Sequence, residues 1–239
     1  MGNKKRFPSA CIASGRARHH NPCSDLKSAL TPYKKGHFSS ITDPKKVGAL
    51  MRAINSYQGE HVVRYALRLI PLVFVRPGEL RNARWSEFDF DEAIWTIPPD
   101  RMKMKNQHLV PLSRQALDIL QELKPLTGRG DLVFPSTLTS KRPISDNTIN
   151  SALRRLGFTR EEMTAHGFRA MARTILDEVL HVRPDFIEHQ LSHAVRDPNG
   201  RAYNRTSHLP ERKKMMQDWA DYLDKLAANI ASDHNSKAA

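Results

Sequence analysis

From about residue 41 onward, apolar positions recur at the three-and-four spacing of helices, and they alternate with polar ones only between about residues 88 and 112. That patterning predicts a mainly α fold with a small antiparallel β-sheet, an α+β class. Asp43 followed by Pro44 reads as an N-cap and first helical residue, with Val47, Leu50, Met51 and Ile54 lining the helix that follows. A second helix, holding Val62, Ala66, Leu67, Leu69, Ile70, Leu72 and Val73, is apolar around much of its circumference, as befits the middle of a core. It is expected to end near Arg76-Pro77-Gly78, ahead of a short helix containing Leu80. Phe88 to Pro98 and Gln107 to Leu112 have strand character, with Trp95, Ile97, Leu109 and Val110 as apolar anchors. Ser113 is placed to cap a helix with Ala116, Leu117, Ile119, Leu120 and Leu123, ended by Pro125 and Gly128. Asp146 is placed to cap another with Ile149, Leu153 and Leu156. Met215, Met216, Trp219, Leu223, Leu226 and Ile230 give an amphipathic terminal helix from about Pro210.

The first 40 residues lack this periodicity, carry Pro8, Pro22 and Pro32, and read as a basic, extended lead-in; residues 233–239 read as a disordered tail, leaving 41–232 as the folded domain. The longest apolar stretch, around Ala66 to Val75, is interrupted by Arg68 and is far short of the ~20 residues that a membrane-spanning helix needs. The basic start has no apolar run resembling a secretory signal, and Cys11 and Cys23 form neither a disulfide framework nor a metal set, so a cytoplasmic setting is expected.

Charge changes the picture more. Lysine and arginine number 38 against 25 acids, a net +13, and removing the five basic residues of the first twenty leaves the remainder basic. Such a balance favours a polyanion, through phosphate contacts and counterion release, and puts nucleic acid first among partners.

Three separated blocks carry candidate chemistry. In Arg76-Pro77-Gly78-Glu79-Leu80 an arginine sits at the break after the buried helix, where it is poorly placed for core packing. In His166-Gly167-Phe168-Arg169, at a predicted helix start, a histidine and an arginine three apart share a face and can reach one ligand. Gln190-Leu191-Ser192-His193 is followed, after a polar turn, by Ala202-Tyr203-Asn204-Arg205. Singly, each has a bland alternative: a surface charge at a helix end, or a half-buried tyrosine.

In order and spacing these blocks resemble the tyrosine recombinases, the phage integrase family, whose pattern is Arg, a hairpin Lys, His-x-x-Arg, Leu-x-His and Tyr. The hairpin position falls in Arg101-Met102-Lys103-Met104-Lys105, where family spacing to Pro111 selects Lys103. Lys105, two residues on, shares its strand face and remains a competitor. Phe74 to Leu80, Ala152-Leu153-Arg154-Arg155, Thr164 to Arg169 and Met215 to Leu223 also look like the integrases of prophages and satellite phages. The likeness covers roughly residues 16 to 230. Family members of this kind carry an arm-binding and a core-binding domain ahead of the catalytic one; neither is in this sequence, so the chain reads as truncated.

The resemblance implies a site-specific recombinase acting in prophage or genomic-island integration and excision. Arg76 and Arg169 would bind the non-bridging phosphate oxygens, with a further hydrogen bond from His193. Tyr203 would attack the phosphorus to form a 3′-phosphotyrosine, with His166 taking its proton or orienting it, and Lys103 would protonate the departing 5′-oxygen. No metal or cofactor is required. The implied partner is double-stranded DNA bearing attachment sites, with a homotetramer on DNA and a monomer or weak dimer without it. Two other readings stay open: a non-catalytic DNA-binding remnant, and a type IB topoisomerase, which shares the catalytic residues.

The remaining signals have structural readings as well. His189 and His193 have the spacing of a zinc pair on one helix but lack the Glu of His-Glu-x-x-His. Glu87, Asp89, Asp91 and Glu92 alternate with Phe88 and Phe90, as on the solvated face of a strand. Lys34-Lys35 and Lys213-Lys214 read as solvated charge, whereas Arg154 and Arg155 are candidates for DNA phosphate contacts. Glu79 can restrain Arg76 or Arg169 by an ion pair, or face water near a helix start. The terminal helix either joins the core or, if its Met and Trp stripe is exposed, docks between protomers.

Overall fold

A computed structural model describes residues 38–102, 105–193 and 208–229. Helix α1 spans Pro44–Asn55, and its Asp43 cap accepts a hydrogen bond from the Lys46 amide at 3.0 Å. Helix α2, His61–Val73, is capped by Glu60 and buries Ala66, Leu67, Leu69, Ile70 and Val73 completely. Pro71 lies inside it, where the missing N–H and the ring weaken the last turn. The helix stops two residues later at Val73, and the left-handed backbone of Phe74 (φ 35°) redirects the chain. Helix α3, Pro77–Arg81, follows at once.

A three-stranded antiparallel sheet comes next: β1 Phe88–Asp89, β2 Ile94–Ile97 and β3 His108–Pro111, in that order across the sheet. Trp95 lies opposite Phe88 on one side and Val110 on the other. Phe88 to Pro98, expected as one strand, is a hairpin. Asp89 accepts from the Glu92 amide at 2.8 Å and Ala93 takes a left-handed conformation (φ 54°), so the chain turns without glycine or asparagine. Nor is the acidic cluster all solvated. Glu87 closes a 3₁₀ turn, Trp85–Glu87, and its carboxylate accepts from the Trp95 indole at 3.0 Å and pairs with Arg101.

Helix α4, Arg114–Thr127, starts at the Ser113 cap as expected, but Pro125 lies within its last turn and Gly128 alone ends it. Two short strands, β4 Pro135–Ser136 and β5 Thr139–Pro143, form a second hairpin. Helix α5, Thr148–Arg155, begins after Asn147 rather than at Asp146; the two are adjacent residues of similar capping chemistry. Helices α6, Gly167–Glu178, and α7, Pro184–Gln190, precede the terminal helix α8, Leu209–Ala228.

Helix α8 belongs to the core. Met215, Met216, Trp219 and Leu223 are buried, which removes the exposed stripe that docking between protomers would need. Trp219 packs edge-on to Phe74 and donates its indole N–H to the Pro71 carbonyl at 2.8 Å, a group the end of α2 leaves free. Against α1, a Cβ on Gly48 would stand 2.4 Å from the Leu226 carbonyl oxygen, so glycine is what permits the close crossing of the two helices. Among the described residues no helix is long and apolar enough to cross a membrane.

Candidate active site

The end of α2, the start of α6 and the end of α7 meet at one place, and each delivers part of the site. Arg76 is the residue before the proline that begins α3. Glu79, in the first turn of α3, reaches back to it twice: Oε2 accepts from the Arg76 amide at 2.9 Å and Oε1 from its guanidinium Nη1 at 2.7 Å. Glu79 is buried and Arg76 is a quarter exposed, so the pair holds one face of the guanidinium and leaves the rest open. The ion pair is the first of the two roles open to Glu79 in the sequence.

Arg169, on the first turn of α6, is buried at 5% exposure. Its Nη1 donates to the Phe74 carbonyl at 2.9 Å, and Nη2 donates to the Leu191 carbonyl at 2.6 Å and lies 3.2 Å from His193 Nε2. One side chain thus ties the end of α2 to the end of α7. Burial, and then the charge of Arg76, push its pKa down to about 10, which leaves it a cation at neutral pH. His166 occupies the N-cap position of α6, with its ring 4.2 Å from that of Phe38. Burial lowers its pKa, and so do the charges of Arg169, Arg76 and His193, which favours the neutral ring that can accept a proton. Gly167 beside it has no Cβ for a reason: one would sit 2.2 Å from the Ser39 carbonyl oxygen, and the segment at 38–40 could not lie there.

His193 owes its place to the way α7 ends. Ser192 is left-handed (φ 52°), its amide bonds back to the His189 carbonyl, and the His193 amide bonds to the Glu188 carbonyl at 3.0 Å, the Schellman pattern. This stop puts His193 outside the helix, so His189 and His193 do not form a helical zinc pair. Among the described residues no group of three or more His, Cys, Asp or Glu is arranged for a metal. The His193 ring returns over Glu188, with Nδ1 against its carboxylate.

Of the predicted constellation, Arg76, His166, Arg169 and His193 come together, with Glu79 behind Arg76. Lys103 and Tyr203 lie outside the described residues, as do residues 1–37, which include most of the lead-in, and the 233–239 tail. Lys105 is described: it is exposed, with a left-handed backbone (φ 54°). Arg154 turns inward, bonding the Met163 carbonyl and, at 3.4 Å, the Asn150 carbonyl, whereas Arg155 is exposed, 3.5 Å from the Tyr57 hydroxyl.

Two features went unread in the sequence. Glu188 is one. The other is a buried polar set behind the site: Arg212, fully buried on α8, donates to the Gln190 side-chain oxygen and to the Leu109 carbonyl, while His108 on β3 bonds the Gln190 carbonyl at 3.1 Å. Burial, and then Arg212, drive His108 down to about 3, so it is a neutral donor. Arg212 stands three, four and seven residues before Met215, Met216 and Trp219, on the same face, and that spacing was a legible sign of its burial.

Two guanidiniums and two histidines thus meet at one place, a set of donors with the chemistry to bind an oxyanion, in a helical fold with a small sheet. The chain belongs to the phage integrase family, whose model matches residues 41–208. It is 45% identical over 218 residues to the integrase of Enterobacteria phage P4, covering 85% of this chain and 49% of that protein. It is 36% identical over 217 residues to the prophage integrase IntA of Escherichia coli (strain K12), covering 90% of this chain and 52% of that one. The chain therefore spans about half the length of these curated relatives. Among solved structures, the integrase from mycobacterium phage Brujita superposes with a TM-score of 0.58 at 14% identity, covering 93% of this chain and 74% of that one. A lambda integrase (75-356) dimer bound to a COC' core site gives 0.56 at 19% identity, covering 78% and 67%. At such identities the likeness speaks for the fold: the mainly α, small-sheet architecture of a tyrosine recombinase catalytic domain.

Proposed function

We propose that this chain is the catalytic domain, residues 41–232, of a site-specific DNA recombinase that cuts and rejoins strands through Tyr203. The observation that carries the reading is the meeting of Arg76 with His166, Arg169 and His193, which lie 90 to 117 residues after it in sequence. Arg169 also ties α2 to α7, but that link alone does not call for a second, part-exposed guanidinium and two histidines beside it, whereas a phosphodiester in its transition state, with extra charge on two non-bridging oxygens, does.

In the reaction, Arg76 and Arg169 hold those oxygens and His193 adds a donor. The Tyr203 phenol, with a reference pKa near ~10, gives up its proton as its oxygen bonds phosphorus, and the neutral His166 accepts it. The bond from phosphorus to the 5′-oxygen breaks, and that oxygen takes a proton from Lys103, with Lys105 as its competitor. A 5′-hydroxyl of a second strand then reverses the steps on the 3′-phosphotyrosine, so one bond energy is conserved and neither metal nor cofactor is needed. Double-stranded DNA at attachment sites in the cytoplasm is the substrate and a tetramer on DNA the working assembly, with a monomer or weak dimer in its absence. The lambda integrase tetramer bound to a Holliday junction supports that assembly by analogy. Arg155, exposed at the end of α5, is the better phosphate contact of its pair; Arg154 is committed to carbonyls.

The test is a library of nicked suicide duplexes with a randomised core, offered with and without the remaining portion of the phage P4 relative in trans. Wild type is expected to form a denaturant-resistant adduct that Tyr203→Phe abolishes. No adduct with wild type under either condition overturns the reading and favours a non-catalytic DNA-binding remnant.

A further inference from the structure

We propose that Glu188 is the positioning residue of His193, fixing the ring's tautomer and orientation so that Nε2 faces the phosphate; the inference rests on the recombinase reading of this site. The donor and acceptor inventory decides the protonation. Arg169 Nη2 lies 3.2 Å from His193 Nε2, and a guanidinium has only donors, so Nε2 presents its lone pair. The proton of a neutral ring is then on Nδ1, and it is donated to Glu188 Oε2.

Three constraints hold Glu188 for this task. Its own backbone carbonyl receives the His193 amide, which sets the distance between the two side chains. Its other oxygen, Oε1, accepts from Arg173 Nε at 2.7 Å, so the carboxylate cannot swing away. Burial pushes the Glu188 carboxyl upward, but the hydrogen bonds from His193 and Arg173 outweigh it and hold the group below its usual range, as an anion.

When a phosphate oxygen enters, Arg169 transfers its N–H from Nε2 to that oxygen. For His193 to donate as well, Nε2 takes up a proton from solvent as the phosphate enters, which gives Nδ1–H on Glu188 and Nε2–H on the phosphate. The carboxylate offsets the charge of that proton in a site already holding Arg76 and Arg169. The plain alternative is that Glu188 merely links α6 to α7 through Arg173, half of whose side chain is exposed.

Two measurements separate these. In single-turnover cleavage of a nicked duplex that wild type cuts, Glu188→Gln and Glu188→Ala are expected to slow adduct formation by roughly 10–100-fold, the range typical of partners that orient a working histidine. Their DNA affinity should stay within about twofold of wild type, since neither touches DNA, while Arg173→Gln, which breaks the inter-helix link but leaves Glu188 its bond to His193, should cost less than about threefold in rate. Independently, ¹⁵N-resolved imidazole spectra of the DNA-free protein at about pH 8.5, above the imidazole range, should show His193 as a single Nδ1–H tautomer in wild type and a mixture in Glu188→Ala. An Nε2–H ring in wild type, or wild-type cleavage by both Glu188 variants, overturns the proposal. If wild type itself forms no adduct, the recombinase reading has failed, and the spectra still decide whether Glu188 sets the ring.

Discussion

Arg169 does two jobs in this fold, and replacing it by lysine separates them. Lysine keeps the charge but offers one ammonium in place of a planar fork. The guanidinium now serves the Phe74 carbonyl through Nη1 and the Leu191 carbonyl through Nη2, two acceptors on different segments of a buried region. A single nitrogen on a shorter stem can satisfy one of them. The other becomes a buried, unpaired carbonyl at about 1–3 kcal/mol, and the lost charge-assisted bond and its packing raise the total to about 2–4 kcal/mol. For a domain of this size that corresponds to a fall in Tm of roughly 4–16 °C. Arg76→Lys is the control: its partner Glu79 stays within reach of a lysine, its side chain is part exposed, and the loss should stay under about 1 kcal/mol. Urea unfolding followed by far-UV circular dichroism measures both variants without DNA. If Arg169→Lys unfolds within about 0.5 kcal/mol of wild type, Arg169 is not the tie between α2 and α7, and the site is held by something else.

Two further outcomes follow from buried polar groups. His108 is neutral when folded, with its pKa pushed from 6.5 to about 3, so between those values the unfolded chain binds more protons and stability falls as pH falls. Below pH 6 wild type should lose up to about 1.4 kcal/mol per pH unit more than His108→Gln, which keeps a donor for the Gln190 carbonyl but cannot titrate; parallel stability curves from pH 6 to 4 would refute this. Trp219→Phe removes the indole donor to the Pro71 carbonyl and shrinks a fully buried side chain, and should cost about 2–4 kcal/mol in chemical denaturation; a cost below about 1 kcal/mol would mean that water replaces the bond.

What the sequence made legible was set by local rules. Asp43, Ser113 and the apolar faces of α1, α2 and α8 announce themselves because caps and periodicity act within a few residues, and the arginines and histidines of the site, each bland alone, stood out because their order and spacing resemble the tyrosine recombinase pattern. The failures have equally physical causes. The β1–β2 hairpin turns on Asp89 and a left-handed Ala93, with no glycine to flag it, and Glu87 is buried only because Trp95 and Arg101 arrive from elsewhere in the chain. Pro125 is accommodated inside the last turn of α4, where few hydrogen bonds remain to be lost. Glu188 and Gln190 resemble any polar residues on a short helix until α7 stops, His193 folds back over Glu188, and Arg212 and His108 close on Gln190. Arg76, His166, Arg169 and His193 were legible as types, but their meeting is a long-range event that no spacing encodes.

The double grip of Arg169 on Phe74 and Leu191 also bears on when the site comes into being during synthesis. Arg76 leaves the ribosome early, yet the carbonyl acceptors that orient its buried partner are separated by more than a hundred positions, and the second is made only when α7 is complete. A nascent chain therefore carries most of its basic residues long before it has a fixed pair of guanidiniums. The oriented pair of guanidiniums arrives late and all at once, when the last of these carbonyls is in place.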